Sequence, residues 1–280
     1  MRQRPLAGLR VLSLGLNLPA PMAAHGARQL GARVRKLEPP SGDPLALYAP
    51  AAYAELHQGI AVRRLDLQLA QGQAQLAREL AKADVLLTSF RPQALRRLGL
   101  GWRALHAAYP LLWQVAVEGS LQAPDEAGHD LTYQALLGLL SEDLPPNLWA
   151  DMCGAQQALT ALHQVHIGRL RGETPRCLRV GLVDALAQAA APHRWGLTRP
   201  GGLLGGRHAG YQLLPCRDGR VALAALEPKF TLALARCAGL AEPVNWLTPQ
   251  PALRRWLARH SAAELQALAA EHDLPLVVCP

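Results

Sequence analysis

The sequence predicts an α/β fold, with a Rossmann-like large domain built on a mostly parallel sheet over residues 1–198 and a smaller α+β domain over residues 199–280. Three observations carry this. Short apolar runs of strand type alternate with segments of helical period from Gly8 to Ala191, the pattern of a parallel sheet covered on both faces. The Gly- and Pro-rich stretch from Arg199-Pro200-Gly201-Gly202 to Gly205-Gly206 then interrupts the alternation. Beyond it stand a hairpin signal and three helical runs.

Gly8 to Gly15 is the first strand, Ala20 to Gly31 a helix of small and apolar residues, and Arg33 to Glu38 the second strand, stopped by Pro39-Pro40. A third strand fits Ile60 to Leu67, and Gln75 to Lys82 carries apolar residues at three- and four-residue spacing, which argues a helix. Asp84 to Phe90 is the fourth strand, ended by Arg91-Pro92, and after a further helix Leu111 to Val117 is the next. The spacing of Leu159, Leu162, Val165 and Ile167 predicts a long helix over Asp151 to Arg171, followed by a strand at Cys177 to Val183 and a helix at Asp184 to Ala191. In the second domain, Tyr211 to Leu214 and Arg220 to Ala224 flank Arg217-Asp218-Gly219, whose Asp-Gly suits a hairpin turn. Helices are expected at Lys229 to Cys237, Pro251 to His260 and Ala262 to His272.

Composition narrows the class of function. Half of the 280 residues are apolar, enough for a sizeable core. No apolar run is long enough to span a bilayer and the opening Met1-Arg2-Gln3-Arg4-Pro5 lacks the apolar centre of a signal peptide, so a cytoplasmic protein without membrane contact is expected. The five cysteines are scattered with no C-x-x-C pair, which supports neither a metal site nor a disulfide framework. A net charge of +8, spread along the chain as arginines, suits an anionic small ligand. Aromatic residues are sparse and do not alternate with basic ones, so nucleic acid is not an expected partner.

The chemistry concentrates in Gly128-His129-Asp130-Leu131-Thr132-Tyr133 and in Asn147-Leu148-Trp149-Ala150-Asp151-Met152. A histidine and two carboxylates, each at the mouth of a helical run, form the pattern of an acid/base site. The same residues also fit a plainer reading, His129-Asp130 as a helix cap and Asp151 as an N-cap, because Asp is favoured there. In open α/β sheets ligands bind at the carboxyl ends of the strands, where Gly15-Leu16-Asn17, Glu38-Pro39-Pro40 and Phe90-Arg91-Pro92 fall. No G-x-G-x-x-G and no P-loop motif opens a helix, which removes the main support for NAD or P-loop nucleotide binding.

Several stretches, in order, resemble the class III CoA-transferases: Pro5 to Leu12, Leu30 to Pro40 with Gly42-Asp43-Pro44, Ala83 to Leu87, Phe90-Arg91-Pro92 and Leu95 to Leu100. The Gly-His-Asp-x-x-Tyr form at 128–133 is similar to the alpha-methylacyl-CoA racemase branch, since transferase members usually carry an aromatic residue where His129 stands. Asn147 with Asp151, and Leu226-Glu227-Pro228-Lys229-Phe230, look like the racemase pattern too. The resemblance implies a CoA thioester substrate, no permanently bound cofactor, and an interlocked homodimer. It also implies roles: His129 and Asp151 as the two acid/base residues, Asp130 and Glu227 supporting them, and Asn147 helping to hold the site. Arg91, Lys36, Glu38 and Pro39 are the residues expected at the coenzyme.

Inverting a carbon beside a thioester requires removal of its proton on one face and return of one on the other, so the site needs two groups in opposite protonation states. Burial against Leu148, Trp149 and Met152 is expected to raise Asp151, and the N–H groups opening the helix after Asp151 are expected donors to the enolate oxygen. The sequence departs from the family pattern at Gln58-Gly59-Ile60-Ala61, at Glu118 to Pro124, in the short connection Leu140 to Pro146, and after Val278, where family members continue and return to the large domain. Two other functions are consistent with these residues: a CoA-transferase with Asp151 as nucleophile, and a non-catalytic acyl-CoA-binding or interaction protein.

Overall fold

Residues 4–279 are described in the computed structural model, and they divide into two units between Ala190 and Ala191. The break falls ahead of the 198/199 position read from the sequence. Residues 191–207 fold on themselves, with Leu197 N–H bonding to Pro192 O at 2.9 Å and Leu204 N–H to Leu197 O at 2.9 Å, so the Gly-rich stretch is continuous with what precedes it.

The first unit holds six strands, β1 (Arg10–Ser13), β2 (Arg33–Glu38), β3 (Ala61–Arg64), β4 (Val85–Thr88), β5 (Trp113–Glu118) and β6 (Cys177–Gly181). All pair in parallel, in the order β3-β2-β1-β4-β5-β6. Between them run α1 (Pro19–Gln29), α2 (Leu45–Tyr48), α3 (Pro50–Leu56), α4 (Ala70–Leu80), α5 (Pro92–Arg97), α6 (Trp102–Ala108), α7 (Asp130–Leu136), α8 (Trp149–Leu170) and α9 (Leu182–Ala189).

The two-residue period of the strands divides their side chains between two cores. Val11, Val85, Leu87, Val115 and Val117 face α1 and α8, where Ala20, Ala24, Ala27, Ala158, Leu162 and Val165 meet them. Leu12, Leu14 and Leu86 face the other way, onto Leu76 and Leu80 of α4, Leu95 of α5 and Leu105 of α6. The alanines make α1 thin, and a Cβ added at Gly26 would lie 2.9 Å from the Leu159 side chain, so α1 and α8 pack with almost no space between them. β3, at the sheet edge, ends in Arg63 and Arg64; it stops at Arg64, three residues short of its expected end at Leu67, and charge of this kind guards an open strand edge. The helices α2 and α3 had no periodic signal, being too short to show one. The strand order reverses direction between β1 and β4, and the crevice at their carboxyl ends is where such a sheet receives ligands.

The second unit contains α10 (Ala191–Arg194), β7 (Tyr211–Cys216), β8 (Gly219–Ala224), α11 (Pro228–Cys237), α12 (Pro251–Arg259), α13 (Ala262–Glu271) and β9 (Leu276–Val278). Its sheet is antiparallel, in the order β7-β8-β9. Cys216 pairs with Gly219, so the hairpin loop is Arg217-Asp218 and Gly219 belongs to β8 instead of the turn. The strand β9 is three residues long, too short to announce itself by alternation. Leu214, Val221, Leu223, Leu234, Leu253, Leu257, Leu265 and Leu276 close a separate core. Ser261 caps α13 reciprocally with Glu264, through Glu264 N–H to Ser261 Oγ at 3.2 Å and Ser261 N–H to Glu264 Oε2 at 2.7 Å. Among the described residues no helix is long and apolar enough to cross a membrane.

Leu162 is fully buried between α1 and the sheet, whereas Ile167 on the same helix is about half exposed. Leu162→Ala is expected to cost about 2–5 kcal/mol and Ile167→Ala within about 0.5 kcal/mol, measured by urea denaturation.

Candidate active site

The first turn of α8 needs partners for its N–H groups, and its N-cap residue Leu148 has no side chain able to supply one. Asp130, 4% exposed, supplies it from twenty residues away. Its Oδ1 accepts Ala150 N–H at 2.6 Å and Asp151 N–H at 3.1 Å. Its Oδ2 accepts Gln134 Nε2 at 2.6 Å, and the same Nε2 reaches the Asn147 carbonyl at 3.2 Å. A carboxylate at the positive end of a helix, holding charge-assisted bonds, fixes α7 and α8 to each other and closes the short connection between them. Asn147 completes the corner, its Oδ1 accepting Leu148 N–H at 2.9 Å.

Two expectations change here. Asp151 is the third residue of α8, not its N-cap. The first N–H after Asp151, expected to meet an enolate oxygen, is taken inside the helix by Met152 N–H to Leu148 O at 2.9 Å, and those of Ala150 and Asp151 are bonded to Asp130. Asp130 therefore acts through Oδ1 on the backbone that carries Asp151, while its Oδ2 is taken by Gln134.

The Asp151 carboxylate is half-buried and has no hydrogen-bond partner among the described residues. Burial, then the negative charge of Asp130, pushes it up to about 6, while His129 pulls in the opposite direction. The expected apolar cover is only partial, since Leu148 and Trp149 both stay nearly half exposed. His129 is the N-cap of α7 and exposed. Thr132 fixes its backbone, accepting His129 N–H at 3.1 Å and donating its hydroxyl to His129 O at 2.7 Å, and the His129 side chain faces the Thr132 N–H in a capping box.

Tyr133 explains the glycine of the motif. Its ring lies where a Cβ at Gly128 or at Gly119 would overlap it, so only glycine fits at either position. Burial and then Asp151 raise the Tyr133 hydroxyl, and Arg91 lowers it, which brings Arg91 into the same neighbourhood. Arg91 is the exposed N-cap of α5, ahead of Pro92, and its guanidinium has no ion-pair partner among the described residues.

Sequence reasoning missed Tyr48 and Gln134, and it placed Asn17 at a strand end without giving it a role. Tyr48 is raised by burial and by the charges of Asp43 and Asp151, and its hydroxyl donates to Asn17 Oδ1 at 3.1 Å. Asn17, at the strand end named from the sequence, has φ 63°, a conformation in which Asn is several-fold enriched. Gln134 lay one residue beyond the quoted motif and is 1% exposed.

The coenzyme candidates divide. Lys36 is 1% exposed, and its ammonium contacts Asp43, Glu38 Oε1 at 3.2 Å and His57 Nε2 at 2.8 Å. With Nε2 accepting from the ammonium, His57 carries its proton on Nδ1 and donates it to Tyr53 O at 2.7 Å; burial lowers His57, consistent with a neutral ring. The Tyr53 hydroxyl, donating to Glu38 Oε1 at 2.8 Å, is pushed up to about 12 by burial and that bond. Ligand atoms of Glu38, Asp43 and His57 lie within 4.8 Å of one another, a spacing a metal ion could bridge, but the Lys36 ammonium stands among them. Asp43 Oδ1 also accepts Asn17 N–H at 2.9 Å, so Lys36 underpins the loop after β1. Glu38 and Pro39 line a cavity of about 230 Å³ at the strand ends, with Leu14, Leu65, Phe90 and Leu98. Glu227 lies in the second unit, exposed, as the N-cap of α11.

Asp130→Asn keeps one oxygen for the N–H groups of α8 and removes the charge beside Asp151. The Asp151 midpoint is then expected to fall from about 6 toward the ordinary carboxylate range, read by carbon-13 NMR titration. Because the folded value lies above the unfolded one, ionised Asp151 opposes folding increasingly as pH rises from about 4 to 6, and fully above that. Asp151→Asn is expected to raise stability by about 1–2 kcal/mol at pH 8, allowing for partial exposure, and to change it little at pH 4, measured by thermal denaturation at the two pH values.

The chain is 32% identical over 206 residues to a succinyl-CoA–D-citramalate CoA-transferase of Chloroflexus aurantiacus, covering 65% of this chain and 50% of that protein. It is 28% identical over 255 residues to the human alpha-methylacyl-CoA racemase, covering 84% of this chain and 65% of the racemase. The chain thus spans about half to two thirds of the length of these two relatives. A Mycobacterium tuberculosis protein, Rv3272, has the same fold at TM-score 0.86 and 23% identity, over 100% of this chain and 85% of that one. The profile of CoA-transferase family III matches residues 6–279, and the chain belongs to that family.

Proposed function

We propose that the protein acts on acyl-CoA thioesters and that its reaction is the racemisation or epimerisation of a 2-methylacyl-CoA by two-base proton transfer. The observation that carries this reading is the pairing of an Asp151 carboxylate without a hydrogen-bond partner among the described residues, raised to about 6, with an exposed His129 close enough to pull it down. One group takes the α-proton, the thioester becomes an enolate, and the other returns a proton to the opposite face. A carboxyl raised to about 6 can both hold and release a proton near neutrality, which two-base work requires of it. With the N–H groups of Ala150 and Asp151 held by Asp130 and that of Met152 by Leu148 O, the enolate charge falls to the Tyr133 hydroxyl.

In this reading the nucleobase end of the coenzyme enters the cavity lined by Glu38 and Pro39, and Arg91 meets phosphate. Lys36 serves by holding the loop after β1, and Asn147 by closing the corner with Gln134. Glu227 enters only through the resemblance of residues 226–230 to the racemase pattern. The assembly we propose is a homodimer.

A second reading is favoured by the names of the relatives, several of which are CoA-transferases. There Asp151 attacks the thioester carbonyl, CoA thiolate leaves, and a mixed anhydride forms.

Incubating a 2-methylacyl-CoA in deuterium oxide separates the two. Racemisation requires deuterium at the α-carbon without acyl exchange, and His129→Ala or Asp151→Asn should each lower the rate by about 10²–10⁴-fold. Acyl exchange that needs Asp151, with no deuterium uptake, makes the protein a transferase; its rate would then fall as pH drops through about 6, where the nucleophile is protonated. Absence of CoA binding by calorimetry would sink both.

A further inference from the structure

At the opposite end of the sheet from the candidate active site, the amino ends of β1 and β2 and the end of α4 enclose a cavity of about 280 Å³. Four cations line it, Arg10, Arg33, Arg35 and Lys82, against one carboxylate, Glu79, with Val11, Leu12 and Ala83 completing the lining.

The carboxylates in this region are already committed. Asp84, 4% exposed, accepts Arg10 Nε at 3.1 Å and Arg10 Nη2 at 2.6 Å, and also pairs with Arg169 at 2.8 Å. Glu79 takes Arg35 Nη1 on both oxygens, at 3.0 and 2.9 Å. These pairs hold two guanidinium planes in place, while Nη1 of Arg10 and Nη2 of Arg35 make no bond among the described residues. The side chains of Arg33 and Lys82 have no partner at all among the described residues. Two cations are therefore anchored with donors to spare, and two are uncompensated in a concave site, where like charges repel and the field is focused.

We propose that this cavity is a binding site for a small phosphorylated anion, separate from the site that takes the acyl-CoA. A phosphate monoester dianion matches the two uncompensated charges, and its three terminal oxygens suit planar donors held at the walls. Anchoring the guanidiniums beforehand lowers the ordering cost of binding. The volume lies just below the range of about 300–1,000 Å³ typical of drug-sized ligands, which favours a phosphoryl group on a short organic stem over a whole nucleotide coenzyme.

The test is calorimetric titration of the full chain with inorganic phosphate, at constant ionic strength in chloride. Saturable binding is expected, weakened about tenfold or more in the double variant Arg33→Ala/Lys82→Ala, which changes only exposed side chains. Arg91→Ala, at the other end of the sheet, should leave this binding unchanged. No saturable binding to the unaltered protein, or binding that the double variant retains, overturns the proposal. Loss on Arg91→Ala alone overturns it as well, by assigning the phosphate to the coenzyme end. None of these outcomes depends on catalytic activity, so the proposal and the racemase reading can fail separately.

Discussion

The buried carboxylate of Asp130 is the interaction on which the rest of the site depends. A helix of twenty-two residues begins at Trp149 with no cap of its own, and it runs across the face of the sheet that holds the larger core. Its first N–H groups would be orphaned without an acceptor, and an unpaired polar group away from water costs about 1–3 kcal/mol. Asp130 answers that need from the start of α7, and this places His129, the residue before it, beside the first turn of α8. One charge thus caps a helix, fixes the angle between two elements and raises the carboxyl of Asp151.

The fold class was legible because it rests on periodicity. Val11 and Leu12, adjacent in sequence, go to opposite cores, and the same division runs through β4 and β5. The small residues of α1 likewise announced a helix packed closely against its neighbours. What escaped was short or set by tertiary contact. The helices α2 and α3 and the strand β9 are too brief to show a period, and the hairpin turn fell one residue earlier than its Asp-Gly suggested because Cys216 pairs with Gly219.

The candidate site was legible as a set of residue types and less so as a set of contacts. The motif around His129 contains both the group that faces outward and the group that holds it, but nothing in the spacing tells which is which. The role of Asp130 appears only once α8 is folded against α7. Lys36 shows the same limit: a lysine beside a strand end suggests an anion, yet Glu38, two residues on, with Asp43 and His57 from farther along the chain, encloses its ammonium and turns it into an internal support. Tyr48 belongs to no motif, and only its bond to Asn17, at the end of β1, brings it to the site.

The bonds from Ala150 and Asp151 to Asp130 couple helix fraying to the integrity of the chemistry. A first turn ordinarily opens freely to water, since its N–H groups lack partners within the helix. Here those two amides are shielded for as long as α7 stays docked, and their hydrogen exchange becomes a clock for the opening of the site. Local unfolding at α7 and α8 would remove the neighbouring charge from Asp151 and the shelter from its carboxyl together. The reactive state of Asp151 is in this sense a property of a folded corner, present when the corner is closed and lost when it opens.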